Sequence, residues 1–342
     1  MTEQDRPNVF ITEEKLGINF VKQDEFLLNE LNNQLNTVST QLGVHSREIQ
    51  IPSRGFIENP LSKIQEQAVG QLIEEEYAKD AVILQDKLLE IPIEESGEIM
   101  VYLPTLYKEN NVDLSLSTLP FHKACGDWAG KERVFWTREQ VAKRLLVAGK
   151  ALEVIGLQLH IEDAFRPVGV QEGLFKRRAI MILTEHPDWI EHWDKVWAEA
   201  RSKTAVTPLM AGHKSGAALD ITLKKKSDKS SLPIGNQYPE GGAKVALGYP
   251  YITQEEWSNR QLFVQTMEMA GLRIYPFETW HASFGDLSAG IEAFSDKSIT
   301  QGYKTIYGPI EGFDNLTGEI QPYSQEDYNR PFFTPEELLG KV

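Results

Sequence analysis

Gly212-His213-Lys214-Ser215-Gly216-Ala217-Ala218-Leu219-Asp220-Ile221-Thr222-Leu223 is the stretch from which the fold is read. Its second half, Leu219 to Leu223, alternates apolar and polar residues and predicts a strand with one buried face. Its first half sets an imidazole, His213, between Gly212 and Gly216, which permit tight backbone geometry. His213 and Asp220 cannot share an ion from one helical turn or from adjacent strand positions. They meet if His213 sits on a loop, the chain turns through Gly216, and Asp220 returns on the strand. A carboxylate heading an apolar strand is costly to bury alone, and metal coordination removes that cost. Taken singly, a core histidine bonded to a carbonyl and an aspartate in a cap or turn are the plain alternatives.

Glu278-Thr279-Trp280-His281 supplies what this stretch lacks. His213, Asp220 and His281 make a set of two imidazoles and one carboxylate, the ligand type of catalytic zinc sites that keep one position open for water. Glu278 is not needed as a ligand and is free to act as a general base on that water. Ligand type alone also suits a non-haem Fe2+ centre, but an oxygenase has no need of a base at Glu278.

Working outward, Met100 to Pro104 predicts an entering strand. Thr137-Arg138-Glu139-Gln140 has the form of a capping box before a helix through about Ile155, and Leu157 to Ile161 reads as a half-buried strand. Helices are expected over 168–184, 187–203 and 255–271, a loop over 235–248, and a short strand over 273–277 that delivers Glu278 and His281. Without a steady βαβ repeat this is an α+β fold, an antiparallel sheet with flanking helices. Residues 1–95 are expected to be a mainly helical N-terminal extension, with helices over about 23–42 and from Pro60 to about Gln85. The second of these places Ile64, Ala68, Leu72 and Ile73 on one buried face. Residues 96–294 form the catalytic domain, and 295–342 an extended C-terminal tail over the core.

The formal charge of −15 and pI near 5.0 argue against nucleic acid, which requires dense basic surface. Lys224-Lys225-Lys226 reads as a solvated strand end. The single cysteine, Cys125, excludes an internal disulfide and reads as inert packing. The first residues are polar and acidic, and no apolar run approaches the length of a membrane span, so a cytoplasmic protein without a membrane partner is expected. Residues 1–95 are also the expected surface for any homo-oligomer or partner contact. His160 is expected to be packed or carbonyl-bonded, and Trp189, Trp193 and Trp197 to form an apolar helix face.

His213-x-x-Gly216-x-Ala218-x-Asp220 followed by Glu278-x-Trp280-His281 resembles the zinc D-alanyl-D-alanine dipeptidases of the VanX type, which share a fold with the hedgehog signalling domain. Asp163-Ala164-Phe165-Arg166-Pro167 is similar to that family's Asp-x-Tyr-Arg-Pro stretch. The resemblance covers roughly residues 95–290. It implies that His213, Asp220 and His281 bind Zn2+, that Glu278 is the general base and then acid, and that Arg166 stabilises the oxyanion on a small peptide substrate. Two departures from the pattern are Ala211, where relatives carry Ser, and Ile252. The second assumes that Leu247-Gly248-Tyr249-Pro250-Tyr251-Ile252 matches the family's Met-Gly-x-x-Phe-Asp stretch, whose Asp meets the substrate amine, with Glu255 or Glu256 as possible substitutes. A non-catalytic binding module on the same fold is a third reading, which the extra N-terminal region and these departures leave room for.

Overall fold

The computed structural model describes residues 20–21, 56–57, 60–249, 251–291 and 303–340. Two short N-terminal strands, β1 (Phe20–Val21) and β2 (Phe56–Ile57), pair antiparallel. The expected helix over 23–42 lies outside the described residues. Helix α1 (Lys63–Leu88) begins at a capping box in which Ser62 and Gln65 exchange bonds. Ile64, expected on its buried face, is instead 81% exposed. It stands in the first turn, while Leu61 just before the helix packs on the cluster of Ile57, Tyr249 and Trp257.

Next come β3 (Met100–Tyr102), α2 (Leu103–Glu109), β4 (Leu114–Leu116) and β5 (Trp136–Arg138). Thr137 is therefore a strand residue and not the expected helix cap. Its hydroxyl donates to the Gly216 carbonyl at 2.6 Å, which leaves α3 (Glu139–Val154) without a side-chain N-cap. The wholly buried Arg138 donates to the Ser215 carbonyl at 2.7 Å. These two bonds hold the turn through Gly216 in place.

Strands β6 (Leu157–Asp163), β7 (Ala218–Lys225), β8 (Arg273–Ile274) and β9 (His281–Ser283) join β4 in a five-stranded sheet ordered β4-β6-β7-β9-β8. All its pairings are antiparallel except β4 with β6. β6 is buried along its whole length and not half-buried, because its polar side is covered too: Ser115, Glu162, Thr222 and Lys224 surround His160. On the apolar side, Leu159, Ile161, Leu219, Ile221 and Leu223 pack against Leu145, Ala148 and Leu152 of α3, and against Phe263 and Met267 of the later helix Gln254–Met269.

Helix α4 (Val168–Glu185) follows β6, and the helix expected over 187–203 is broken at His192. The fragment before the break is a 3-10 turn over Pro187–Glu191, and the one after it is α5 (Trp193–Arg201). Trp193 and Trp197 pack around Phe175 and Phe333, so the tryptophan face is core. The Gln254–Met269 helix, α6, starts at a Thr253–Glu256 capping box. In the C-terminal part β10 (Ile310–Phe313) and β11 (Ile320–Pro322) form an antiparallel hairpin, with Ile310 and Phe313 packed on Met100 and Phe165.

Candidate metal centre and active site

The site is built where β6, β7 and β9 run side by side. The pairing of β6 with β7 is regular up to Ile161 opposite Ile221, then shifts so that Asp163 stands opposite Asp220. A bulge of this kind turns a side chain to the other face of a sheet. It brings Asp163 to the face of Asp220, and two like charges directly opposite would repel. Arg166 resolves the conflict: its Nε donates to Asp163 Oδ2 and its Nη2 to Asp220 Oδ2, each at 2.7 Å. Arg133 adds a third contact, Nη1 to Asp163 Oδ2 at 2.6 Å. Burial works against the Arg166 charge, but the two carboxylates outweigh it and hold the guanidinium protonated.

Asp220 uses its two oxygens differently. Oδ2 takes Arg166 and the Tyr238 hydroxyl, which donates at 3.2 Å. Oδ1 faces the imidazoles, 3.1 Å from His213 Nε2 and 3.4 Å from His281 Nδ1. Against its burial, His213 and Arg166 keep the Asp220 carboxyl well below the usual carboxylate range.

His213 lies on a 3-10 turn over Gly212–Ser215 that ends in the left-handed Gly216, at φ 70°, before β7 begins. This is the loop, turn and returning strand expected from the spacing. The Ala164 carbonyl accepts from His213 Nδ1 at 2.7 Å. A carbonyl can only accept, so Nδ1 carries a proton, and the ring's other nitrogen, Nε2, is turned toward Asp220 Oδ1. Asp220 and His281 are register partners in β7 and β9, which sets their side chains on one face. The His281 Nδ1 is buried with no hydrogen-bond partner. Ligand atoms of His213, Asp220 and His281 all lie within 4.8 Å of one another. The orphaned His281 Nδ1 and His213 Nε2, both turned toward Asp220 Oδ1, make a donor set that fits a divalent metal ion.

Glu278 stands beside this set, its Oε2 3.7 Å from His281 Nδ1. Its side chain is 41% exposed and opens into a cavity of about 400 Å³. Desolvation in that recess raises its carboxyl above the ordinary value, and Asp220 adds to the rise against His281. Arg166, His213, Asp220, Trp280 and His281 line the same cavity, so the sequence-derived residues are all brought together.

Other residues of the cavity had no signal in the reading of the sequence. Tyr238 and Glu240 line it, whereas Glu255 and Glu256 do not, and Glu256 is spent on the α6 cap. Ile252 is buried in a satellite core with Ile57, Tyr249, Tyr251 and Trp257 and does not reach the cavity. The assumed match over 247–252 is thereby corrected. Ile234-Gly235-Asn236-Gln237-Tyr238 has the same apolar-Gly-x-x-aromatic form, and its Tyr238 end is the one that reaches Asp220. Helix α1 forms another wall through Glu74, Tyr77, Ala78, Ala81 and Gln85. Cys125 is buried and away from the cavity, and its thiol is pushed up by that burial, as inert packing requires. Among the described residues, no helix is long and apolar enough to cross a membrane.

A family profile described as D-ala-D-ala dipeptidase, of the M15 peptidases, matches residues 126–299. The matched span contains Arg166, His213, Asp220, Glu278 and His281, and it excludes α1. No curated protein matches the chain.

Proposed function

Starting from the fact that the chain belongs to the D-ala-D-ala dipeptidase family of peptidases, we propose that it is a zinc metallopeptidase that cleaves a small D-alanyl peptide. The observation that carries this reading is the convergence of His213, Asp220 and His281 beside Glu278 at the cavity. These three ligands would hold the ion, and when bound it would supply the Lewis acidity that ionises an attacking water near neutral pH. Glu278 takes the proton from that water and hands it to the leaving amine. A carboxyl raised by its surroundings suits that double role better than an ordinary one. Arg166, whose Nη1 lies outside its two carboxylate bonds, offers a fixed positive charge to the developing oxyanion. Tyr238 and Arg166 keep Asp220 oriented through Oδ2, which leaves Oδ1 for the ion. Ala211 lines the cavity without the hydroxyl of relatives, and Glu240 is the acid nearest in sequence to Tyr238 on that rim.

The test is elemental analysis combined with a panel of D-alanyl dipeptides. About one zinc per chain is expected, with hydrolysis reduced on the order of a thousandfold or more in Glu278→Gln while its zinc content is unchanged. Full activity in Glu278→Gln, or in protein stripped of metal, would overturn the reading.

A further inference from the structure

Among the described residues, three lysine or arginine side chains line the cavity: Arg166, Arg178 and Lys203. Arg166 is bonded to Asp163 and Asp220, and Lys203 to Glu74 of α1 at 2.7 Å. Arg178 has no hydrogen bond and no ion pair among the described residues, although it is half-buried. A guanidinium presents five donors and cannot shed its charge to escape burial. Half-buried on the cavity wall with no carboxylate bonded to it, it has donors to offer an anion. Burial, with Arg177 next to it, disfavours its charged form, and Glu199, Glu185 and Glu74 offset this only in part.

Its place in the fold suits a substrate contact. Arg178 lies on the same face of α4 as Gln171, two turns farther along, about 10 Å by the helical rise. Both residues line the cavity, and α4 begins two residues after Arg166. Facing it is α1, which bonds to segments on both sides of the cavity. Gln85 donates to the Arg201 carbonyl at 3.2 Å and Asp86 pairs with Arg201, while Tyr77 donates to the Gly248 carbonyl at 3.1 Å. With Glu74 bonded to Lys203, Arg178 is, among the described residues, the cation of this recess that no carboxylate bonds directly.

We infer that Arg178 is a substrate-binding residue that takes a carboxylate of a short peptide in the recess between α1 and α4. This rests on the reading of the cavity as a peptidase site. The carboxylate could be the free C-terminus or an acidic side chain, and the test separates the two. Hydrolysis is compared for a D-alanyl peptide acid and its C-terminal amide, and for a pair carrying Glu or Gln at one side chain, on the wild type, Arg178→Gln and Arg178→Lys. A preference of about ten- to hundredfold for the carboxylate member of one pair is expected in the wild type, expressed in KM with kcat little changed. In Arg178→Gln that preference should fall to near unity, with the neutral member unaffected, and Arg178→Lys should recover part of it. Preference in the acid–amide pair identifies the terminus, and preference in the Glu–Gln pair identifies a side chain. No preference in either pair, or one that survives Arg178→Gln, would overturn the inference. If the wild type hydrolyses none of these peptides, the peptidase reading falls. Calorimetric binding of the same peptides then decides this one: a carboxylate preference lost in Arg178→Gln upholds it, and any other pattern overturns it.

Discussion

Gly212 is a residue whose lack of a side chain is used directly. A Cβ built on it would lie 3.0 Å from Asp286 Oδ2 and 3.3 Å from His281 Nε2, tighter than such contacts normally are. Ala218 Cβ, at 3.1 Å and fixed on strand β7, closes the other side, so the new methyl group must press on the Asp286 and His281 side chains. Gly212→Ala should therefore displace the His281 ring and weaken zinc binding by about ten- to hundredfold, the usual size of a disturbed ligand orientation. A chelator competition titration on the folded variant reads this, and unchanged affinity would show that the ring has room to spare. At this scale the clustering of these side chains was legible beforehand. His213, Asp220, Glu278 and His281 announce themselves by residue type and by short spacings that only a few backbone paths allow. Tyr238, Arg133 and Asp286 did not, because a tyrosine hydroxyl or a buried acid acquires meaning only from neighbours far off in sequence.

At the scale of elements, α6 stabilises the loop that brings Tyr238 to the site. Arg260 is 2% exposed, and its guanidinium donates to the carbonyls of Ile234, Lys244, Ala246 and Leu247. Replacing it with methionine keeps the bulk but strands those carbonyls. Arg260→Met should cost about 3–5 kcal/mol, since each buried carbonyl left without a donor costs about 1–3 kcal/mol, as read by urea unfolding. A loss under 1 kcal/mol would mean that water takes over the bonds. β7, α4 and α6 were readable to within a residue or two. Three features were not, each for a tertiary reason. Thr137 has the form of a cap but is drawn into β5 by Gly216, and β6 alternates in sequence but is covered on both faces. Ile234–Tyr238 and Leu247–Ile252 share one form, and only packing decides which reaches the cavity.

For the whole molecule, a metal held by β7, β9 and the turn before β7 is bound by the folded chain alone, so occupancy adds to stability. Zinc at a hundredfold excess over its dissociation constant is worth about 2.7 kcal/mol. Unfolding should therefore shift upward by several degrees on adding zinc and back on chelation, and Asp220→Ala should remove the shift. A transition insensitive to zinc in the wild type would show that no ion binds there. The position of α1 is the least legible part of the molecule. Its contacts join Glu74 to Lys203 and Tyr77 to Gly248, and no local pattern of apolar residues encodes separations of that length. One further property follows from the way His213 is mounted. His213 gives its ring proton to the Ala164 carbonyl, and the Arg166 amide gives its own to the His213 carbonyl. Anchor and cation are thus two ends of one reciprocal clasp, and neither can drift while the other stays. A perturbation that slackens this clasp should erode grip on the ion and speed of reaction in step, so that the protein would fail as a unit and not by degrees in one function.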